Sequence, residues 1–176
     1  MTSNIKMYRT KKYLLTTGIL ITITLLMVSC SLQKKSVYGL EEYKGVLGLK
    51  TLRKQSWFKD EYNRYKMNDT LQRIAENLSK HKIIVFGGGW CSDTRRELPR
   101  FIKILDQLNY PMQNLEIIFL DRDKKCERCK LINTPNNHNV KFVPTFIIID
   151  ASGKEKGRIV ENPSLTLEKD LENIVN

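Results

Sequence analysis

The chain has 176 residues, 41% of them hydrophobic and 28% charged, with 30 Lys and Arg against 19 Asp and Glu for a formal net charge of +11. That is enough apolar material for one modest core plus a tail, and it excludes a second full domain. The basic residues are scattered rather than gathered in one stripe, which argues against nucleic acid as a partner.

Residues 1–29 hold four basic residues, Lys6, Arg9, Lys11 and Lys12, and no acidic one, and an apolar run from Tyr13 ends in Met27-Val28-Ser29-Cys30. A basic start, an apolar stretch and a small residue before a cysteine read as an export signal of the lipoprotein type, with Cys30 as the lipidated N-terminus of the mature chain. An uncleaved membrane anchor is the alternative, although four threonines in the run make it a poor one. Either outcome places the rest of the chain outside the cytoplasm on a tether, at the periplasmic face of the cell envelope, on the outer or the inner membrane. Thirty basic residues less the four of the leader, against 19 acidic ones, leave the mature chain at +7. Such an excess suits anionic headgroups or acidic partners.

Residues 30–55 are polar and basic, with Gly39, Gly45 and Gly48 and no sustained period, and read as a tether. The folded domain is expected over 56–176. It opens with a helical extension: Trp57, Phe58, Tyr62 and Tyr65, then Leu71, Ile74, Ala75 and Leu78, recur at three- and four-residue steps, with Asn68-Asp69-Thr70 as break and N-cap between two helices. The aromatic cluster is expected to pack on the domain's edge. The pattern then predicts a strand over 82–87, helix 91–108, strand 115–120, helix at about 123–133, strands 143–149 and 154–160, and helix 164–175. The strand-helix-strand portion implies a parallel pair with a right-handed crossover. Ala151-Ser152-Gly153 marks the turn of a terminal hairpin, and Asn162-Pro163-Ser164 the start of the last helix.

Ile83-Ile-Val-Phe-Gly-Gly-Gly-Trp-Cys91 is the stretch that carries chemistry. An apolar strand, a glycine turn and a cysteine opening a helix put that sulfur where unpaired N–H groups and the helix dipole favour negative charge, hence a reactive thiolate. The opposing reading is a relic cysteine in a fold kept for binding. The three glycines lack the lysine and spacing of a phosphate loop and are expected to open access to Trp90 and Cys91. His81 and His138 read as solvated residues, neither adjoining Cys91, and no residue pattern calls for a cofactor.

These residues resemble the thioredoxin-like family. Trp90-Cys91-Ser92-Asp93-Thr94 stands where that family has Trp-Cys-x-x-Cys, Pro99 matches its helix proline, and Val143-Pro144-Thr145 looks like its cis-proline signature. The resemblance implies an α/β thioredoxin-like fold, a central mixed sheet flanked by helices, here with an N-terminal helical extension. It implies thiol–disulfide exchange through Cys91, a substrate groove formed by Trp90, Val143, Pro144 and Thr145, and a cis bond whose preceding residue pairs with an extended substrate. Two departures stand out. Thr94 replaces the second cysteine, on the first helical turn within reach to donate a hydrogen bond to the sulfur, and Val85 stands where many thioredoxins bury an aspartate. The variant resembles a single-cysteine subgroup of lipid-anchored thioredoxin-like proteins of Bacteroidota-type bacteria. The expected partners are envelope protein disulfides or thiols and an external or membrane thiol reductant.

A lone thiolate attacks a disulfide but cannot release the mixed disulfide that results. Cys126 and Cys129, in a segment longer than in a minimal thioredoxin, are the candidate resolving pair, because parallel strands bring both following segments to one sheet edge. Direct bridging needs Cα atoms within about 7 Å. A self-contained disulfide between them, or half a metal site completed by His138 with His81 or Cys91, are the other readings. A binding module without redox chemistry is the rival function for the whole chain, supported by Thr94 and Val85.

Overall fold

The computed structural model describes residues 40, 43–67, 72–126, 129 and 135–176. The export signal, Cys30, residues 31–39 of the tether and the Asn68-Asp69-Thr70 break lie outside the described residues. Among the described residues, no helix is long and apolar enough to cross a membrane.

Ile83 to Phe86 are all buried, as befits a central strand covered on both faces. This strand, β2 (Lys82–Gly87), pairs in parallel with β3 (Leu115–Phe119) and antiparallel with β4 (Thr145–Ile149), which pairs with β5 (Glu155–Val160). A two-residue strand, β1 (Gly45–Val46), adds to the far edge of β3, giving the order β1-β3-β2-β4-β5 in a mixed five-stranded sheet. Alternation along the strands divides the core in two. Ile83, Val85, Phe119, Phe146 and Ile148 face the larger cluster, while Ile84, Phe86, Ile118 and Ile147 face a smaller one with Leu120 and Val143.

The helices cover the larger face. After α1 (Leu49–Leu52), α2 (Ser56–Arg64) and α3 (Gln72–Ser79) comes α4 (Ser92–Gln107), the crossover between β2 and β3; α5 (Leu167–Val175) closes the chain. On α4, Leu98, Phe101, Ile102 and Leu105 recur at helical spacing and are fully buried. Its polar flank holds α2: Arg100 binds Glu61 at 2.6 Å, Lys103 donates to the Tyr65 carbonyl at 2.6 Å, and Asp106 accepts from Arg53 and from the Tyr62 hydroxyl at 2.7 Å. The aromatic cluster of α2 therefore packs on the domain as expected, with Phe58 fully buried and the Tyr65 hydroxyl donating to Glu168 at 2.8 Å.

Four expectations are corrected. Residues 43–55 are not a tether: they supply β1 and α1, and Leu47 and Leu52 lie in the main core. Elements of two and four residues are too short to show a period, so composition alone reads them as linker. Leu52→Ala is expected to cost about 3 kcal/mol of folding free energy, measured by urea unfolding, as a leucine emptied from a packed site; a true tether residue would cost almost nothing. The helix expected from 123 does not start there, because Lys124 takes a left-handed φ of 60° in a turn closed by Lys124 N–H on the Asp121 carbonyl at 3.0 Å. Residues 127, 128 and 130–134 lie outside the described residues. The last helix starts at Leu167 and not 164, capped by Thr166, whose hydroxyl accepts from Lys169 N–H at 3.1 Å. Finally, His81 is not a solvated residue: it is buried, its Nδ1 2.8 Å from the Asn77 carbonyl, and its own carbonyl accepts from Tyr110.

Candidate functional site

Cys91 is the N-cap of α4, with extended backbone and its carbonyl accepting from Arg95 N–H at 3.1 Å. Its thiol is half-buried and donates to the Val143 carbonyl at 3.1 Å. The Val143–Pro144 peptide bond is cis, as the resemblance implies. Only a protonated thiol can donate that bond, so the Val143 carbonyl is released once the sulfur ionises or bonds to another sulfur.

The turn before Cys91 is held from several sides. Trp90 Nε1 donates to the Leu120 carbonyl at 2.9 Å, and a Cβ on Gly88 would stand 2.8 Å from the indole. Glycine at 88 is thus what lets the indole lie against the chain. Arg95 Nε donates to the Gly89 carbonyl at 2.6 Å, which ties the first helical turn back to the loop. Asp93, whose charge opposes a thiolate, is paired with Arg96 at 2.8 Å. Arg96 also binds the buried Glu97 at 2.6 Å, and that hydrogen bond, followed by Asp93, pushes the guanidinium pKa up. The Arg96 side chain reaches Asn162 as well, joining α4 to the end of β5.

Two sequence-predicted residues have other tasks than expected. The Thr94 hydroxyl is fully buried and accepts from Gly88 N–H at 3.2 Å, so it secures the glycine turn rather than donating to the sulfur. Thr145 is buried and its hydroxyl donates to the Phe142 carbonyl at 2.7 Å, which shapes the cis-proline loop instead of lining a groove. Val143 and Pro144 are buried too, so their side chains do not line an open groove.

Cys126 and Cys129 form a disulfide with each other, with a Cα separation of 5.7 Å. Of the three sequence readings this is the self-contained pair, and neither cysteine is bridged to Cys91, which is a free thiol. No group of three or more His, Cys, Asp or Glu suited to a metal ion occurs among the described residues. His138 is not completing such a site: its ring lies on Phe86 at 5.6 Å between centroids, and burial pushes its pKa down. The disulfide and the thiol nevertheless share one apolar cluster. Trp90, Cys91, Cys126 and Cys129 all pack against the smaller apolar cluster around Phe86, Leu120 and Val143.

Sequence reasoning missed two residues. Phe142, next to the cis-proline loop, is 52% exposed, unusual for so large an apolar side chain. Arg122 sets its guanidinium carbon 5.2 Å from the centre of the Trp90 ring. An aromatic directly before Val-Pro-Thr is a signal for the first; no local pattern signals the second.

A half-buried thiol at a helix N-cap, facing the carbonyl before a cis proline in a mixed sheet, defines a thiol-bearing domain of the thioredoxin-like class. The family model described as Thioredoxin matches residues 43–170, and the chain belongs to that family. That match begins two residues before β1 and not at residue 56. No curated protein matches the chain. Among solved structures, a protein of unknown function from Pseudomonas aeruginosa is similar with a TM-score of 0.49 at 14% identity, covering 77% of this chain and 92% of that one. The Fasciola hepatica thioredoxin gives 0.37 at 22% identity over 59% and 86% of the two chains. The reduced thioredoxin 2 of Pseudomonas aeruginosa gives 0.37 at 22% over 64% and 94%.

Proposed function

We propose that this chain carries out thiol–disulfide exchange in the cell envelope through Cys91, with Cys126 and Cys129 resolving the reaction. The observation that carries the proposal is the half-buried Cys91 thiol, 3.1 Å from the Val143 carbonyl, on the same small apolar cluster as the Cys126–Cys129 disulfide. The sulfur stands at the N-terminal end of α4, and exchange proceeds through its thiolate, which is the nucleophile.

The exchange balances as follows. Cys91 thiolate attacks a substrate disulfide, forms a mixed disulfide and releases one substrate thiolate. A thiolate of reduced Cys126 or Cys129 attacks the Cys91 sulfur and frees the second substrate thiolate. The remaining thiolate of the pair closes the Cys126–Cys129 disulfide and returns Cys91 as a thiol. Two electrons pass from the Cys126/Cys129 dithiol to the substrate, and an external or membrane dithiol must reduce the pair again. Run backwards, the same steps oxidise a substrate dithiol. An export signal with lipidation at Cys30 tethers this chemistry to the membrane at the periplasmic face, where its substrates are the disulfides or thiols of envelope proteins.

A second reading, a redox-silent module that binds extended segments beside the cis-proline loop, has the buried Thr94 in its favour, since no resolving thiol sits on the first helical turn. The two separate on one measurement. Starting from the fully reduced chain with no thiol added, release of the second substrate thiol in a single turnover is expected to fall at least about tenfold with Cys126→Ser and Cys129→Ser together, leaving one equivalent of mixed disulfide on Cys91. Undiminished release refutes resolution by the pair, and failure to form any adduct on Cys91 favours the binding module.

A further inference from the structure

At the Cys126 end of the disulfide lies a cavity of about 630 Å³, lined also by Asp123, Lys124, Lys125, Val140 and Lys141, among others. Its volume falls in the range of small-ligand sites, about 300–1,000 Å³. Cys126 and Val140, which line it, pack on the same small apolar cluster as Cys91, and Lys141 stands two residues before Val143, whose carbonyl accepts from the Cys91 thiol.

The charged residues that line it, among the described residues, are three lysines and one aspartate. Lys124, Lys125 and Lys141 line the cavity, and Arg122 lies over the Trp90 ring at 5.2 Å. Asp123 is the lining acid, whereas Asp121, at the base of the same turn, is engaged by Lys44 at 3.1 Å and by Lys125 N–H at 2.8 Å. On the α4 side, Asp93 and Glu97 are paired with Arg96. A cleft whose lining carries an excess of one sign of charge concentrates ligands of the opposite sign.

We propose that this cavity selects disulfides flanked by carboxylates and delivers them to Cys91. The inference rests on exchange through Cys91 and adds the substrate class. In the selected step Cys91 thiolate bonds to one substrate sulfur, and the S–S electron pair departs on the other as a carboxylate-bearing thiolate, which a cationic wall holds better than a neutral one.

The test uses the full chain and three disulfides of similar size: dithiodipropionate, hydroxyethyl disulfide and cystamine, carrying negative, zero and positive charge. Consumption of the Cys91 thiol is timed with each, and each rate is divided by the rate of free mercaptoethanol with the same disulfide to remove intrinsic reactivity. The anionic probe is expected to lead the cationic one by at least about tenfold at low ionic strength, with the gap closing toward parity at about 0.5 M salt. Lys124→Glu with Lys141→Glu reverses the ranking, while Lys50→Glu with Lys154→Glu, the same charge change at exposed sites elsewhere, does not. Equal normalised rates, a salt-independent ranking, or a ranking that survives the cavity variant overturn the selection. Competition by a cystine peptide rich in Asp and Glu assigns the selected class to protein segments, and its failure assigns it to small molecules. Equal rates that still require Cys91 remove the selection alone; probe reduction unaffected by Cys91→Ser removes the exchange reading itself.

Discussion

Cys91→Ser is expected to lower the rate of protein-disulfide reduction by about 10³-fold or more, because a serine hydroxyl is a weak nucleophile without an adjacent base. The structure offers no such base among the described histidines: the His81 Nδ1 faces the Asn77 carbonyl, and the His138 ring lies on Phe86. Folding should survive. A serine hydroxyl can keep the hydrogen bond to the Val143 carbonyl that the thiol now makes at 3.1 Å, so the stability change is expected to stay within about 1 kcal/mol. The measurement is turnover of a disulfide-bonded protein substrate with excess dithiol, paired with a urea unfolding curve. Unchanged turnover in a folded variant removes Cys91 from the chemistry and leaves the binding module.

Phe146→Ala is expected to cost about 3–5 kcal/mol, a large share of the roughly 5–15 kcal/mol that holds a domain of this size together. Phe146 is the second residue of β4, opposite Val85 of β2 and Ile159 of β5, and its ring stacks on Phe101 of α4 at 4.4 Å with an interplanar angle of 27°. Both rings are fully buried. Removing one leaves a void between sheet and helix that its neighbours fill only in part, so lost transfer free energy and cavity cost add. Phe142→Ala supplies the contrast: that ring is largely exposed, and its loss is expected to change stability by no more than about 0.5 kcal/mol. Urea midpoints at unchanged slope measure both. A loss below about 1 kcal/mol at Phe146 would mean that the sheet and α4 are not packed through this pair.

The two substitutions probe different layers of what residue order encodes. Strand β2 and helix α4 are legible because each buries its apolar residues at its own period, Ile83 to Phe86 as a run covered on both faces and Leu98, Phe101, Ile102 and Leu105 as a helical stripe. Cys91 is legible as the residue where one period gives way to the other. The end of the chain is less so: Asn162-Pro163-Ser164 resembles a helix start, yet Thr166 wins because its hydroxyl reaches Lys169 N–H. The turn at 121–125 misleads for a similar reason, since Asp121 accepts from Lys125 N–H at 2.8 Å and diverts the backbone from a helix.

What residue order determined by itself is the set of local elements, the position of the cysteine at a strand-helix junction and the family to which the chain belongs. What the tertiary structure alone decided is who meets whom. Val143, far along the chain, accepts from the Cys91 thiol; Arg122 covers Trp90; Gly45 and Val46 pair with β3; and Cys126 closes on Cys129 against the apolar cluster that Cys91 also touches. Periodicity and capping act over one or two turns, so they leave a trace in neighbouring residues, whereas contacts between distant segments depend on burial and register that emerge only once the whole core has packed.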